Sequence, residues 1–179
     1  MALNLRRNPG FWQRLDIASR MTFPAASILF GILLLGLPTI LPMQGALRPA
    51  FVLVSVFFWS LYRPSSLPAP VLALLGLCLD LVGVSPLGVW PVILLLLHAL
   101  VVQSRRLLVS QGFFMVWLAF IVIAAAACWA DWAVQSLLTL RLLPIDASLF
   151  QWAVTIGLYP LLAAGLIRAH RGAAAPELA

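Results

Sequence analysis

The chain contains no lysine; all eleven of its basic residues are arginines. Charge of either sign is scarce, at 9% of 179 residues, against 64% that are hydrophobic. An ordinary soluble domain is about 45–50% apolar, and a chain this apolar has no interior large enough for the surplus. Soluble classes are therefore excluded in favour of an integral membrane protein, with no room for a separate aqueous domain. Cysteine is equally sparse. Cys78 and Cys128 lie in apolar runs without a CxxC or a Cys/His cluster, so metal and redox chemistry have no footing and both read as packing residues. The formal charge of +6 would suggest nucleic acid in a soluble chain. Here the arginines are spread over short loops, where topology accounts for them, and no nucleic-acid partner is expected.

Catalytic signatures are missing too. There is no HExxH and no phosphate-binding glycine loop, and Gly83-Val84-Ser85 continues into Pro86 instead of completing a nucleophile elbow. Two aspartates at similar depth suggest an intramembrane acid dyad, but neither sits in a glycine-rich active-site turn. No enzymatic activity, cofactor or metal is expected.

What is present is a series of apolar runs. Six spans are read at about 22–41, 47–62, 67–83, 86–103, from Gly112 onward, and 148–167. A basic segment, 1–21, precedes the six-span bundle at 22–168, and a polar tail follows at 169–179. Phe11, Trp12, Leu15 and Ala18 share a helical face, so the leading segment is either an interfacial helix or a solvated tail. Pro24 is placed in the first turn of the first span, and Trp59 and Tyr62 in an interfacial aromatic belt. Pro91 and Pro160 either kink their helices or open backbone to a cavity. Nine arginines (6, 7, 14, 20, 63, 105, 106, 168 and 171) fall on the side of the termini, and only 48 and 141 fall opposite. That imbalance places both termini in the cytoplasm, with Arg63, Arg105 and Arg106 at the cytoplasmic lipid surface.

Asp80 organises the rest. An aspartate within a lipid-length apolar run is costly, so it faces protein and marks a functional or packing-critical point. Ala69, Ala73, Gly76, Asp80 and Gly83 share one helical face, and small residues there let a neighbouring helix approach. Ala124, Ala127, Asp131 and Gln135 repeat the pattern, and Ala153, Gly157, Pro160 and Ala164 form a third small face. Running the spans outward puts Asp80 and Asp131 at similar depth near the outer surface. Arg48 and Arg141 fall on that side as well, so a polar group at the outer end is expected, either a solute pocket or a docking surface. His98 is too deep to join it and reads as a packing or helix-linking residue.

The stretch from Arg63 to Pro91 carries a resemblance. Prolines at 64 and 68 are followed by an apolar helix ending Gly76-Leu77 and Asp80-Leu81, then the turn Gly83, Pro86, Leu87, Gly88 and a further apolar helix. This resembles the MreD family of bacterial rod-shape-determining membrane proteins. The resemblance implies a compact six-helix bundle like the substrate-binding subunits of energy-coupling-factor vitamin transporters, in the inner membrane. It also implies a non-enzymatic scaffold that binds MreC, a single-span protein. The scaffold acts with MreB, RodA and a class B transpeptidase in lateral peptidoglycan synthesis. The alternative is a solute-binding subunit of a vitamin-type transporter. Gly76, Asp80, Gly83, Pro86, Gly88 and Asp131 are the candidate partner-binding or structural residues.

Overall fold

Six helices account for the apolar runs. The structure, a computed structural model, describes residues 11–37, 44–83 and 85–173, with side chains over 22–37, 45–83 and 85–168. The elements are α1 (Phe11–Gly36), α2 (Gln44–Tyr62), a 3-10 turn at Pro64–Ser66, α3 (Ala69–Val82), α4 (Val89–Val109), α5 (Phe113–Thr139) and α6 (Ile145–Ala173). Four stretches are long and apolar enough to cross a bilayer: Gly45–Tyr62, Val89–Val109, Phe113–Thr139 and Ile145–Arg168. Thr22–Gly36 and Ala69–Val82 are apolar but shorter. The result is an all-helical membrane bundle.

α2 is its axis. Val52 through Leu61 are all buried. α1, α4, α6 and the 3-10 turn enclose it, while α3 bridges α1 to α4 and α5 bridges α4 to α6. Where α2, α5 and α6 meet, Phe57, Phe120 and Tyr159 form an aromatic knot. The Phe120 and Tyr159 rings stack at 4.5 Å, and Phe57 meets Phe120 edge-on at 5.0 Å. α5 and α6 are also tied reciprocally. The Trp117 indole donates to the Ile156 carbonyl, and the Trp152 indole donates to that of Ile121.

Several expectations change. Trp59 is fully buried, with Phe23 edge-on at 6.1 Å, so it is a core residue and not part of a lipid-facing belt; Tyr62 does reach the surface. Pro24 lies inside α1, because the helix already begins at Phe11. Pro91 lies in the first turn of α4, where its missing N–H has no intrahelical partner to lose, so it breaks nothing. α5 runs on past Asp131 to Thr139 and closes at Leu140 in the left-handed region, φ 51°. The small face of α6 points away from the bundle. Ala153, Gly157, Pro160 and Ala164 are all exposed, and nothing lies within 4 Å of where a Gly157 Cβ would sit. Residues 1–10 and 174–179, about half of the expected basic segment and half of the tail, lie outside the described residues.

Candidate functional site

The α3–α4 hairpin is closed by a carboxylate. Asp80, 2% exposed, sits in the last turn of α3. Its Oδ2 accepts the Gly88 N–H at 2.7 Å and its Oδ1 the Trp90 N–H at 3.4 Å. Those amides belong to the start of α4, which no earlier carbonyl can satisfy and which carries the positive end of the helix dipole. Asp80 is thus an N-terminal cap supplied by a different helix. The turn is built to present those amides. The Val89 N–H bonds the Pro86 carbonyl at 3.4 Å, and Gly88 takes φ 100°, ψ −9°, the third-position geometry of a type II turn that favours glycine. Gly83 closes α3, its N–H bonding the Leu79 carbonyl at 2.9 Å. One face further down, Gly76 meets the α4 backbone directly. A Cβ there would lie 2.5 Å from both Cα and N of Pro91.

Arg48, near the start of α2, does the complementary work at the same end. Its Nε donates to the Leu35 carbonyl at 2.6 Å and its Nη1 to the Val82 carbonyl at 2.8 Å. One guanidinium therefore caps the C-termini of both α1 and α3, where the dipole is negative. Between these caps lies a partly open cavity of about 280 Å³, walled by Arg48, Trp90, Asp131, Gln135 and Gln151 among others. Every helix except α1 contributes to it. Asp131, 7% exposed, receives the Gln135 side-chain N–H on Oδ1 at 2.9 Å.

The expected polar group at one end of the bundle is therefore present in part. Asp80, Asp131 and Arg48 come together, but Arg141 does not, remaining exposed beyond the end of α5. Of the residues expected at the opposite, arginine-rich end, Arg105 turns inward and donates from Nε to the Leu61 carbonyl at 2.7 Å, capping α2. Arg106 is exposed, and Arg63 is partly buried where α2 ends. His98 links α4 to α2, its Nδ1 lying 2.8 Å from the Ser60 hydroxyl. Cys78 and Cys128 are free thiols. Gln151 and the capping role of Arg48 escape a sequence reading. Their only signal is a polar side chain near the start of a mostly apolar helix.

A family model for the rod shape-determining protein MreD matches residues 19–166. The chain belongs to the MreD family. That match runs from within α1 to within α6 and so takes in α2 to α5 whole, both caps and the cavity. The family is one of shape-determining structural membrane proteins, and membership makes rod-shape determination the role of this chain. No curated protein and no solved structure matches the chain.

Proposed function

We propose that this MreD-family chain is a non-enzymatic scaffold of the rod-type wall-synthesis machinery in the bacterial inner membrane. All six helices cross the bilayer with both termini cytoplasmic, and the cavity end faces the periplasm. There it docks MreC, and through MreC or directly it meets MreB, RodA and the class B transpeptidase during lateral peptidoglycan synthesis. One observation carries the reading. The family-motif residues Asp80, Pro86 and Gly88 are all engaged in fixing one end of the bundle as a firm, partly open platform. The outward small face of α6, at Ala153, Gly157 and Ala164, suits the close approach of a single transmembrane helix. Exposed Arg106 suits anionic lipid at the cytoplasmic surface.

A vitamin-type solute site is the second reading, with the cavity of about 280 Å³ at the lower edge of the roughly 300–1,000 Å³ typical of small-molecule pockets. The test is capture of tagged protein from native membranes in gentle detergent, with mass spectrometry of proteins and small molecules. A single-span protein with a periplasmic domain, recovered together with wall-synthesis enzymes, is the expected result. An ATPase pair with a bound vitamin-sized solute would replace the scaffold reading with the transporter one. Asp80→Ala is expected to insert in the membrane but to lose the single-span partner, and normal capture by that variant would remove Asp80 from the docking platform. For orientation, cysteines placed at Leu142 and Ser110, with Cys78 and Cys128 replaced by alanine, are challenged with an impermeant maleimide in spheroplasts. Labelling at position 142 and protection at 110 is the expected pattern.

A further inference from the structure

The cavity end holds one carboxyl group that the fold answers on one oxygen only. The Asp80 carboxylate is met by two amides of α4, and the Arg48 guanidinium by the carbonyls closing α1 and α3. Asp131 is different. It is 7% exposed and lines the cavity, yet among the described residues its Oδ2 accepts no hydrogen bond and no arginine or histidine lies within ion-pair distance. Across the same cavity Gln151 on α6 has a buried Nε2 with no acceptor. The wall therefore lacks a cation at one point and a hydrogen-bond acceptor at another. Buried carboxylates and amides left so are costly, and native structures answer them with a partner.

We propose that this cavity receives a basic side chain, lysine or arginine, from a membrane-proximal segment of a protein partner. The cationic head pairs with Asp131 Oδ2, and a peptide carbonyl of the same segment accepts from Gln151 Nε2. Size and place agree. About 280 Å³ suits one long side chain better than a free drug-sized solute. Much of the wall is helix ends, the starts of α2 and α4 and the end of α3, and on the proposed orientation a charged group enters there from water. A metal ion fits less well, since no group of three His, Cys, Asp or Glu side chains converges anywhere among the described residues. The inference rests on the proposed docking of a partner at this end of the bundle.

The test uses the full-length protein purified in detergent, with its melting temperature followed by tryptophan fluorescence. The probes are the Nα-acetyl methylamides of lysine and arginine, with that of norleucine as the neutral control of similar length. Both cationic probes are expected to raise the melting temperature saturably at millimolar concentration, and the norleucine probe to leave it unchanged. D131N abolishes the rise and Q151A weakens it. An equal response to the neutral probe, or an undiminished response in D131N, overturns the proposal. If D131N gives no folded protein, the cationic-against-neutral comparison in the unmodified chain decides alone. Capture of the single-span partner is scored separately. Equal capture by wild type and D131N, with no probe response, removes the cavity inference and leaves the docking reading standing. A cationic response with no partner captured keeps the amine site and removes the docking reading.

Discussion

Asp80 shows how a residue's cost and its use coincide. A carboxylate in an apolar helix is expensive, and here the expense is offset because its oxygens face the amides that begin α4. Asp80→Ala leaves two buried-end N–H groups without acceptors, a loss of about 2–3 kcal/mol. Asp80→Asn keeps one acceptor oxygen and gives up the charge–dipole attraction, about 1 kcal/mol. Thermal unfolding in detergent is expected to rank the wild type above Asp80→Asn and that above Asp80→Ala; equal loss in both variants would mean that hydrogen bonding contributes nothing beyond charge. The sequence made the position legible, since a lone aspartate on a small-residue face announces itself. The identity of its partners was not legible, because they are main-chain amides and carry no side-chain signature.

Among the helices, glycine separates into two kinds. Gly76 lets α3 and α4 touch backbone to backbone, with a Cβ meeting Pro91 at 2.5 Å, whereas Gly157 faces open space. Gly76→Ala is expected to destabilise by about 1–3 kcal/mol through overpacking. Gly157→Ala removes a helix-weakening residue at no steric cost and should stabilise by up to about 1 kcal/mol. Opposite signs in a denaturation series would establish the distinction, and a matching loss in both would contradict it. Both glycines sit on small-residue faces, and spacing alone treats them alike. The number and order of the helices could be read from the apolar runs. Which small face turns inward could not, because in lipid an outward apolar face is no penalty and leaves no mark in composition. Trp59 illustrates the same limit. An aromatic near a helix end suits an interface or a core equally well, and only packing against Phe23 and Phe58 settles it.

At the level of the whole molecule, arginine binds the ends of the bundle together. Arg48 caps α1 and α3 at one end, and Arg105 caps α2 at the other. Charge counting gives each arginine a side of the membrane but cannot tell a capping guanidinium from a free one. Arg48→Gln is expected to cost about 2–4 kcal/mol through two charged-donor hydrogen bonds, and Arg141→Gln to stay within about 0.5 kcal/mol. Hydrogen exchange gives the sharper readout. The Arg48 change should speed amide exchange at the ends of α1 and α3 together while leaving α5 alone, and acceleration confined to α1 would show that the two caps are independent.

The helices also differ in length. At about 1.5 Å per residue, the 14 residues of α3 rise roughly 21 Å and the 27 of α5 roughly 40 Å, against a hydrocarbon layer of about 30 Å. Leu74, Leu77 and Leu81 of α3 and Leu118, Val122 and Trp129 of α5 are exposed on the outside of the bundle. No bilayer of uniform thickness matches both flanks. On the proposed six-span topology, lipid is drawn thin beside α3, while α5 must tilt or thicken its surroundings. A bundle so placed imposes a thickness gradient on its own annulus, and shorter-chain lipids are expected to collect beside α3.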